Sequence, residues 1–147
     1  EPLIKPESID EVIKNVKEDD NADISTLVRV LTDVEEINNP NLVKCVRDIN
    51  GFALYFSRSK IPYERNSGIA TFYGHLGIYG YKRKALEAMT TLAQTPLEKT
   101  ESLEQLRALE NGMKIKTSVV DFVPVGIDTR EDLEKFKQIV EKKLSKI

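Results

Sequence analysis

The stretch Tyr73–Lys82, YGHLGIYGYK, holds the chain's only histidine and three of its five tyrosines, with three glycines among them. A core strand is normally filled with Val, Ile and Leu, and glycine leaves nothing to pack, so the run reads as the wall of a pocket. On a strand, alternate residues share a face. His75, Gly77, Tyr79 and Tyr81 then point one way, and Leu76, Ile78 and Gly80 point to the core. His75 and Tyr79 would lie about 13 Å apart along such a strand, with a gap at Gly77, a spacing that could grip a sugar-sized ligand from two sides. The alternative is a partly buried histidine and tyrosine satisfied by their neighbours, since both residue types are intermediate in burial.

Three further places carry polar groups that chemistry could use. In GIDTRED, Asp128 directly precedes a helical pattern. It is either the helix N-cap, accepting backbone N–H bonds, or a carboxylate at the C-terminal edge of a strand, where α/β sheets place ligands. In the second case it could hold Mg²⁺, a hard ion that prefers carboxylates and substrate phosphates. In SLEQLR, Glu104 and Gln105 read by themselves as a solvated helix face. Arg58, just past a strand in YFSRS, is either a rim charge or a contact to a carboxylate or phosphate. No G-x-G-x-x-G, P-loop, nucleophile elbow or Cys/His metal spacing occurs.

The elements that must position these residues follow from pattern. PESIDEVIKNVKE predicts a helix, with Ser8 and Glu11 as a capping box and Ile9, Val12, Ile13 and Val16 as its apolar stripe. DISTLVRVL is β-branched and short, a strand, and VEEINNPN is a polar turn region. VKCVRDINGFALYFSR predicts two strands joined at Asn50-Gly51, with FALYFS buried on both faces. SRSKIPYERNSGIATF is a loop of about 16 residues, long enough to suggest function or an interface. GHLGIYGYKR is the next strand. TPLEKTESLEQLRALENG is helical, with Thr95 as N-cap, Pro96 at N1, Glu98 completing a capping box and Gly112 as the stop. KIKTSVVDF is a strand, and DTREDLEKFKQIVEKKLSKI a closing helix whose inner face holds Leu133, Phe136, Ile139, Val140 and Leu144. Helices interleaved with strands and a hairpin indicate α/β with a mixed sheet.

Composition narrows the partners. The 147 residues are 40% apolar and 31% charged, with a formal charge of −2 and no basic block, which argues against nucleic acid. GFALYF, the longest apolar run, is far too short to cross a bilayer, and no secretory signal is visible. The lone Cys45 excludes an internal disulfide and reads as a buried reduced thiol. A cytoplasmic protein is the expectation. The chain starts at Glu1-Pro2 without Met, as a processed product, a trimmed chain or the back part of a longer protein would.

Taken together, EPLI, NPNLVKCVRDINGFALYFSRSKIPY, GHLGIYGYK, TPLEKTESLEQLRALENG and GIDTREDLE resemble the 3-deoxy-manno-octulosonate (Kdo) cytidylyltransferases, the CMP-Kdo synthetases, in order and spacing over nearly all of the chain. Where the family has FSRSPIP this chain has FSRSKIP, with Lys60 in the loop. The resemblance implies a Rossmann-like nucleotide-diphospho-sugar transferase fold that joins CTP and Kdo into CMP-Kdo and pyrophosphate, with Mg²⁺, for lipopolysaccharide synthesis. It implies that His75 and Tyr79 line the Kdo pocket, that Glu104 and Gln105 bind sugar hydroxyls, that Asp128 is one of two aspartates on the metal, and that Arg58 is a ligand-side arginine. It also implies a homodimer, with the loop around Pro62 and Tyr63 as a candidate interface. The family's partner aspartate, phosphate loop and cytosine pocket would precede Glu1. Residues 1–147 are therefore expected to be the C-terminal, sugar-binding and dimerisation part, without the N-terminal nucleotide-binding part and inactive alone. The competing expectations are a cytidylyltransferase for another 2-keto sugar acid, such as a sialic acid, and a non-catalytic sugar-binding or dimerisation fragment.

Overall fold

Residues 4–121 and 130–144 are described by the computed structural model of the chain. Their framework is a five-stranded mixed sheet in the order β3-β2-β4-β1-β5. Strand β1 (Ile24–Leu31) is parallel to β5 (Ile115–Val119) and antiparallel to β4 (Phe72–Tyr81). Strand β2 (Lys44–Arg47) runs antiparallel to both β4 and β3 (Ala53–Ser57). A mixed sheet flanked by helices is what the α/β pattern predicts.

Helix α1 (Pro6–Glu18) covers one face of the sheet, where Val12 meets Leu27 and Leu76. It comes close because Gly80 has no side chain. A Cβ there would sit 2.7 Å from Val12 Cγ1 and from Ser25 Oγ. Ser25 Oγ donates to Val12 O at 2.6 Å, and Asn15 Nδ2 to Ser118 Oγ at 2.8 Å. Small residues, Ser8 and Val12, therefore face the sheet, while Ile9 and Ile13 stay 43% and 45% exposed. Of the apolar stripe read from the sequence, Val12 enters the core and Val16 is half-buried, while Ile9 and Ile13 turn away from it. Ser8 is no cap either: the helix starts at Pro6 after Lys5, with proline's preset φ opening the first turn.

Helices α3 (Arg83–Thr91), α4 (Pro96–Glu101) and α5 (Gln105–Glu110) build the other face. There Met89, Leu103, Leu106 and Ala108 pack with Ile24, Val28, Cys45, Phe56 and Ile115. The sequence pattern passes over α3, whose buried side chains are only Ala85 and Met89. It also reads α4 and α5 as one helix, but the chain breaks at Ser102, which takes a left-handed conformation with φ 54°. Glu98 Oε2 accepts from Thr95 N at 3.2 Å, one half of the expected capping box, and Gly112 has the expected positive φ, 78°. The polar turn VEEINNPN contains a one-turn helix, α2 (Val34–Asn38), capped by Asp33, whose carboxylate accepts from Glu35 N at 2.8 Å.

The hairpin at Asn50-Gly51 forms as expected. Gly51 has φ 84°, and the Asp48 carboxylate accepts from Asn50 N and Phe52 N. The hairpin tip bends across the sheet to β5, where Thr117 N and Thr117 Oγ1 each donate to Gly51 O at 2.8 Å. Leu54 is the unpaired residue at the register shift between β2 and β3 and is 62% exposed, although Phe56 is wholly buried, so FALYFS is not buried along its whole length. Helix α6 (Arg130–Leu144) closes the described part, with Phe136 and Val140 half-buried and Leu133 exposed rather than inward. Asp128 lies outside the described residues.

Candidate functional site

The polar face of β4 departs from a regular strand at one point. Leu27 pairs with Leu76, but Thr26 pairs with Tyr79, so Gly77 and Ile78 are extra residues on β4. This bulge keeps His75 and Tyr79 on one face and draws them together. Their ring centroids are 5.4 Å apart, not the 13 Å of an unbroken strand. Nothing is gripped between the two rings, because they touch each other. Gly77 is not a clearing in the wall. It sits exposed in the bulge, and a Cβ there would meet no atom within 4 Å.

The result is a row of rings. Phe56 meets His75 edge-on at 5.0 Å, His75 meets Tyr79, and Tyr79 meets Tyr81 at 6.0 Å. One side of the row packs on the main core. Burial pushes the His75 pKa down to about 4, so the ring is neutral at pH 7. Burial also raises the Tyr79 and Tyr81 phenols, and the charge on Glu104 raises both further.

Glu104 is carried by the elbow between α4 and α5. The break at Ser102 turns the chain, leaving Glu104 exposed and Gln105 8% exposed beneath it. Two sets of contacts hold the elbow. On one side Glu98 accepts from Arg107 Nη2 at 2.5 Å and from Nε at 2.8 Å, while Arg107 Nη1 donates to Met89 O at 3.0 Å. Arg107 beside it holds the Glu98 carboxyl down to about 2. On the other side, Arg58 donates from Nε to Glu101 O at 2.7 Å, from Nη1 to Pro40 O at 3.2 Å and from Nη2 to Ser102 O at 3.4 Å. The Glu101 carboxylate accepts from Ser57 Oγ at 2.6 Å and Arg58 N at 3.0 Å. A cleft of about 420 Å³ opens along the elbow, lined by Gln94, Glu98, Lys99, Ser102, Leu103 and Glu104.

His75 and Tyr79 thus touch on the sheet face covered by α3, α4 and α5, while Glu104, whose charge raises both phenols, lines the cleft along the elbow and Gln105 is buried in α5. Arg58 is a brace whose donors tie the elbow carbonyls of Glu101 and Ser102 to Pro40 O. The sequence reading does not single out three other contributors. Lys44 is wholly buried, and its Nζ donates to Asn39 O at 2.7 Å and to Leu42 O and Arg58 O at 2.6 Å each. Glu101 pins α4 to the end of β3. Thr26, also wholly buried, has its Oγ1 2.9 Å from His75 Nε2. An N-P-N turn followed by a strand-borne lysine is a faint signal for the first; nothing local marks the other two. Among the described residues, no group of three or more His, Cys, Asp or Glu side chains stands together to hold a metal, and Asp128 lies outside them. No helix among these residues is long and apolar enough to cross a membrane.

A mixed α/β sheet with a polar, aromatic strand face beside a broken helix pair is the architecture of a nucleotide-diphospho-sugar transferase. A solved structure of CMP:2-keto-3-deoxy-manno-octonic acid synthetase complexed with CTP shares it, with a TM-score of 0.92 and 36% identity over 97% of this chain and 59% of that one. The chain belongs to the cytidylyltransferase family, whose sequence profile matches residues 1–115. Among its curated relatives are the 3-deoxy-manno-octulosonate cytidylyltransferases of Chloroherpeton thalassium, 49% identical over 98% of this chain, and of Fusobacterium nucleatum, 49% identical over 91%. The chain spans 60% and 55% of the length of these two relatives.

Proposed function

We propose that this chain supplies the sugar-binding part of an enzyme that transfers CMP from CTP to Kdo, releasing pyrophosphate. The observation that carries the reading is the convergence of His75, Tyr79, Tyr81 and the Glu104-bearing elbow on one face of a family-matched fold. Neutral hydrogen-bonding rings beside a carboxylate suit a polyhydroxylated acid sugar. His75 and Tyr79 border the sugar, and Glu104 and Gln105 meet its hydroxyls. Arg58 acts by holding the elbow that carries them. Positioning the anomeric hydroxyl in line with the α-phosphate of CTP is the protein's main contribution, because such a transfer needs alignment and charge neutralisation more than covalent help.

Mg²⁺ belongs to the same reading. A carboxylate at Asp128 is the hard oxygen donor this ion takes, and the bound ion would offset phosphate charge and ease proton loss from the attacking hydroxyl. The protein works as a homodimer in this proposal. The loop between β3 and β4 supports it: the Glu64 carboxylate accepts from Gly68 N, Ile69 N and Ala70 N, ordering a segment from which Tyr63 and Ile69 project 89% and 76% exposed. A cytoplasmic location completes the reading, since CTP is held there.

The test is pyrophosphate release from CTP, Kdo and Mg²⁺. The polypeptide extended to the relatives' full length is expected to turn over, and residues 1–147 alone to bind Kdo without turnover. Equal or better use of a sialic acid by the extended polypeptide would refute the choice of sugar. Failure of the chain to bind Kdo would refute the pocket.

A further inference from the structure

We propose that Thr26 is a positioning residue for this site: its hydroxyl holds His75 as the Nε2–H tautomer, so that Nδ1 is presented as a hydrogen-bond acceptor to a sugar hydroxyl. The inference rests on the reading of the β4 face as the sugar pocket. Its first half, the tautomer, does not depend on that reading.

Thr26 Oγ1 has three close polar neighbours. Ile78 O lies at 2.7 Å, Leu76 O at 3.1 Å and His75 Nε2 at 2.9 Å. A hydroxyl has one proton to give, and both carbonyls can only accept. If that proton goes to a carbonyl, the contact with Nε2 is a hydrogen bond only when Nε2 carries the ring proton. The reverse arrangement, with the hydroxyl donating to Nε2, takes the donor away from both carbonyls. These carbonyls belong to the stretch of β4 where the ladder to β1 is interrupted. In a buried place, the arrangement that makes one more hydrogen bond wins. The bulge thus does two things. It brings Tyr79 against His75, and it turns two carbonyls toward Thr26 that fix which way the hydroxyl points.

The ring does not escape the choice by taking both protons, because burial holds its pKa near 4. Phe56 on one side and Tyr79 on the other keep its plane in place. Among the described residues Nδ1 has no hydrogen-bond partner. His75 therefore offers a lone pair and no charge. Such a group takes a hydroxyl donor and cannot pair with the carboxylate of an acid sugar, which must be met by other groups. The second ring nitrogen of a histidine is commonly set by the bond the first one makes.

With one histidine in the chain, a long-range ¹H–¹⁵N correlation spectrum of the 147-residue protein contains a single imidazole spin system. At pH 7 the expected pattern is a protonated, pyrrole-type Nε2 and an unprotonated, pyridine-type Nδ1. The reverse pattern, or a doubly protonated ring, overturns the proposal. Thr26→Ser keeps the hydroxyl and is expected to keep the pattern. Thr26→Val removes it and is expected to give a tautomer mixture or Nδ1–H; an unchanged Nε2–H ring in Thr26→Val shows that Thr26 is not the cause. Should Thr26→Val fail to fold, the unmodified chain and Thr26→Ser still decide. Added Kdo is expected to shift the Nδ1 resonance toward the pyrrole side while Nε2 stays protonated. Conversion to an imidazolium on binding Kdo would overturn the hydroxyl assignment. If Kdo moves neither resonance, the sugar-pocket reading fails while the Thr26 tautomer assignment stands.

Discussion

His75 shows how much of a side chain's chemistry is decided by its surroundings. An exposed histidine is half-charged near neutrality, whereas this one is kept neutral by burial. The sign of its effect on stability follows. The unfolded chain binds a proton at His75 below about pH 6.5, and the folded chain does not until about pH 4, so stability is full above the upper value and declines as pH falls between the two. The loss is at most ~3 kcal/mol, smaller for a half-buried ring. Glu98 acts lower: its depressed pKa adds stability above about pH 4.5 that is lost as pH falls toward 2. Urea unfolding from pH 7 to 4.5 is expected to show the His75 slope, and His75→Asn to flatten it in that range. Lys44 is the other decisive residue. Its ammonium satisfies three carbonyls, and Lys44→Met is expected to cost at least about 2 kcal/mol in the same assay, because those carbonyls lose their buried donor.

Among the elements, α1 and the α4–α5 elbow depend on contacts that no single helix contains. Helix α1 rests on Gly80, so Gly80→Ala is expected to push the helix off the sheet and cost about 1–3 kcal/mol, read as a lower urea midpoint. The elbow is anchored by Leu106, wholly buried among Ile24, Phe56 and Met89. Leu106→Ala is expected to cost about 2–5 kcal/mol and to weaken Kdo binding as Glu104 and Gln105 lose their support. Arg107→Met tests the elbow from its other end. It strands the buried Glu98 carboxylate and is expected to lower the melting temperature more than the same change at the exposed Arg83, whose i,i+4 pair with Glu87 lies in solvent.

For the whole molecule, the sheet edges and the long loop decide what the chain associates with. Strand β2 pairs with β4 at Gly74 and Tyr73, and His75 N donates to Val43 O at 2.8 Å, so on that side β4 beyond His75 has no strand partner among the described residues. Unpaired strand edges are surfaces that another segment or chain can extend. Exposed Tyr63 and Ile69 add an apolar surface on the ordered loop. If this loop is the dimer contact, Tyr63→Ser with Ile69→Asp shifts the sedimentation coefficient to that of the monomer while Kdo binding persists; an unchanged coefficient removes the loop from the interface.

What the sequence by itself determined is whatever short-range chemistry decides. The apolar run of β1, the turn glycines 51 and 112, the Glu98 return bond to Thr95 and the placement of His75 and Tyr79 on one face of β4 all depend on residues within a few positions of each other. The α1 stripe held at Val12 and missed at Ile9 and Ile13, because the nearest approach is set by Gly80, far along the chain, and not by the helix's own periodicity. The single helix over residues 95–112 failed because contacts from Arg58 and Glu101 hold the left-handed break at Ser102. Only the tertiary structure decided that His75 and Tyr79 touch, and that Thr26, 49 residues away in sequence, orients the imidazole. The physical reason is that a bulge, a buried lysine and a tautomer are settled by which groups meet across strands, and periodicity along one strand carries no record of its partner.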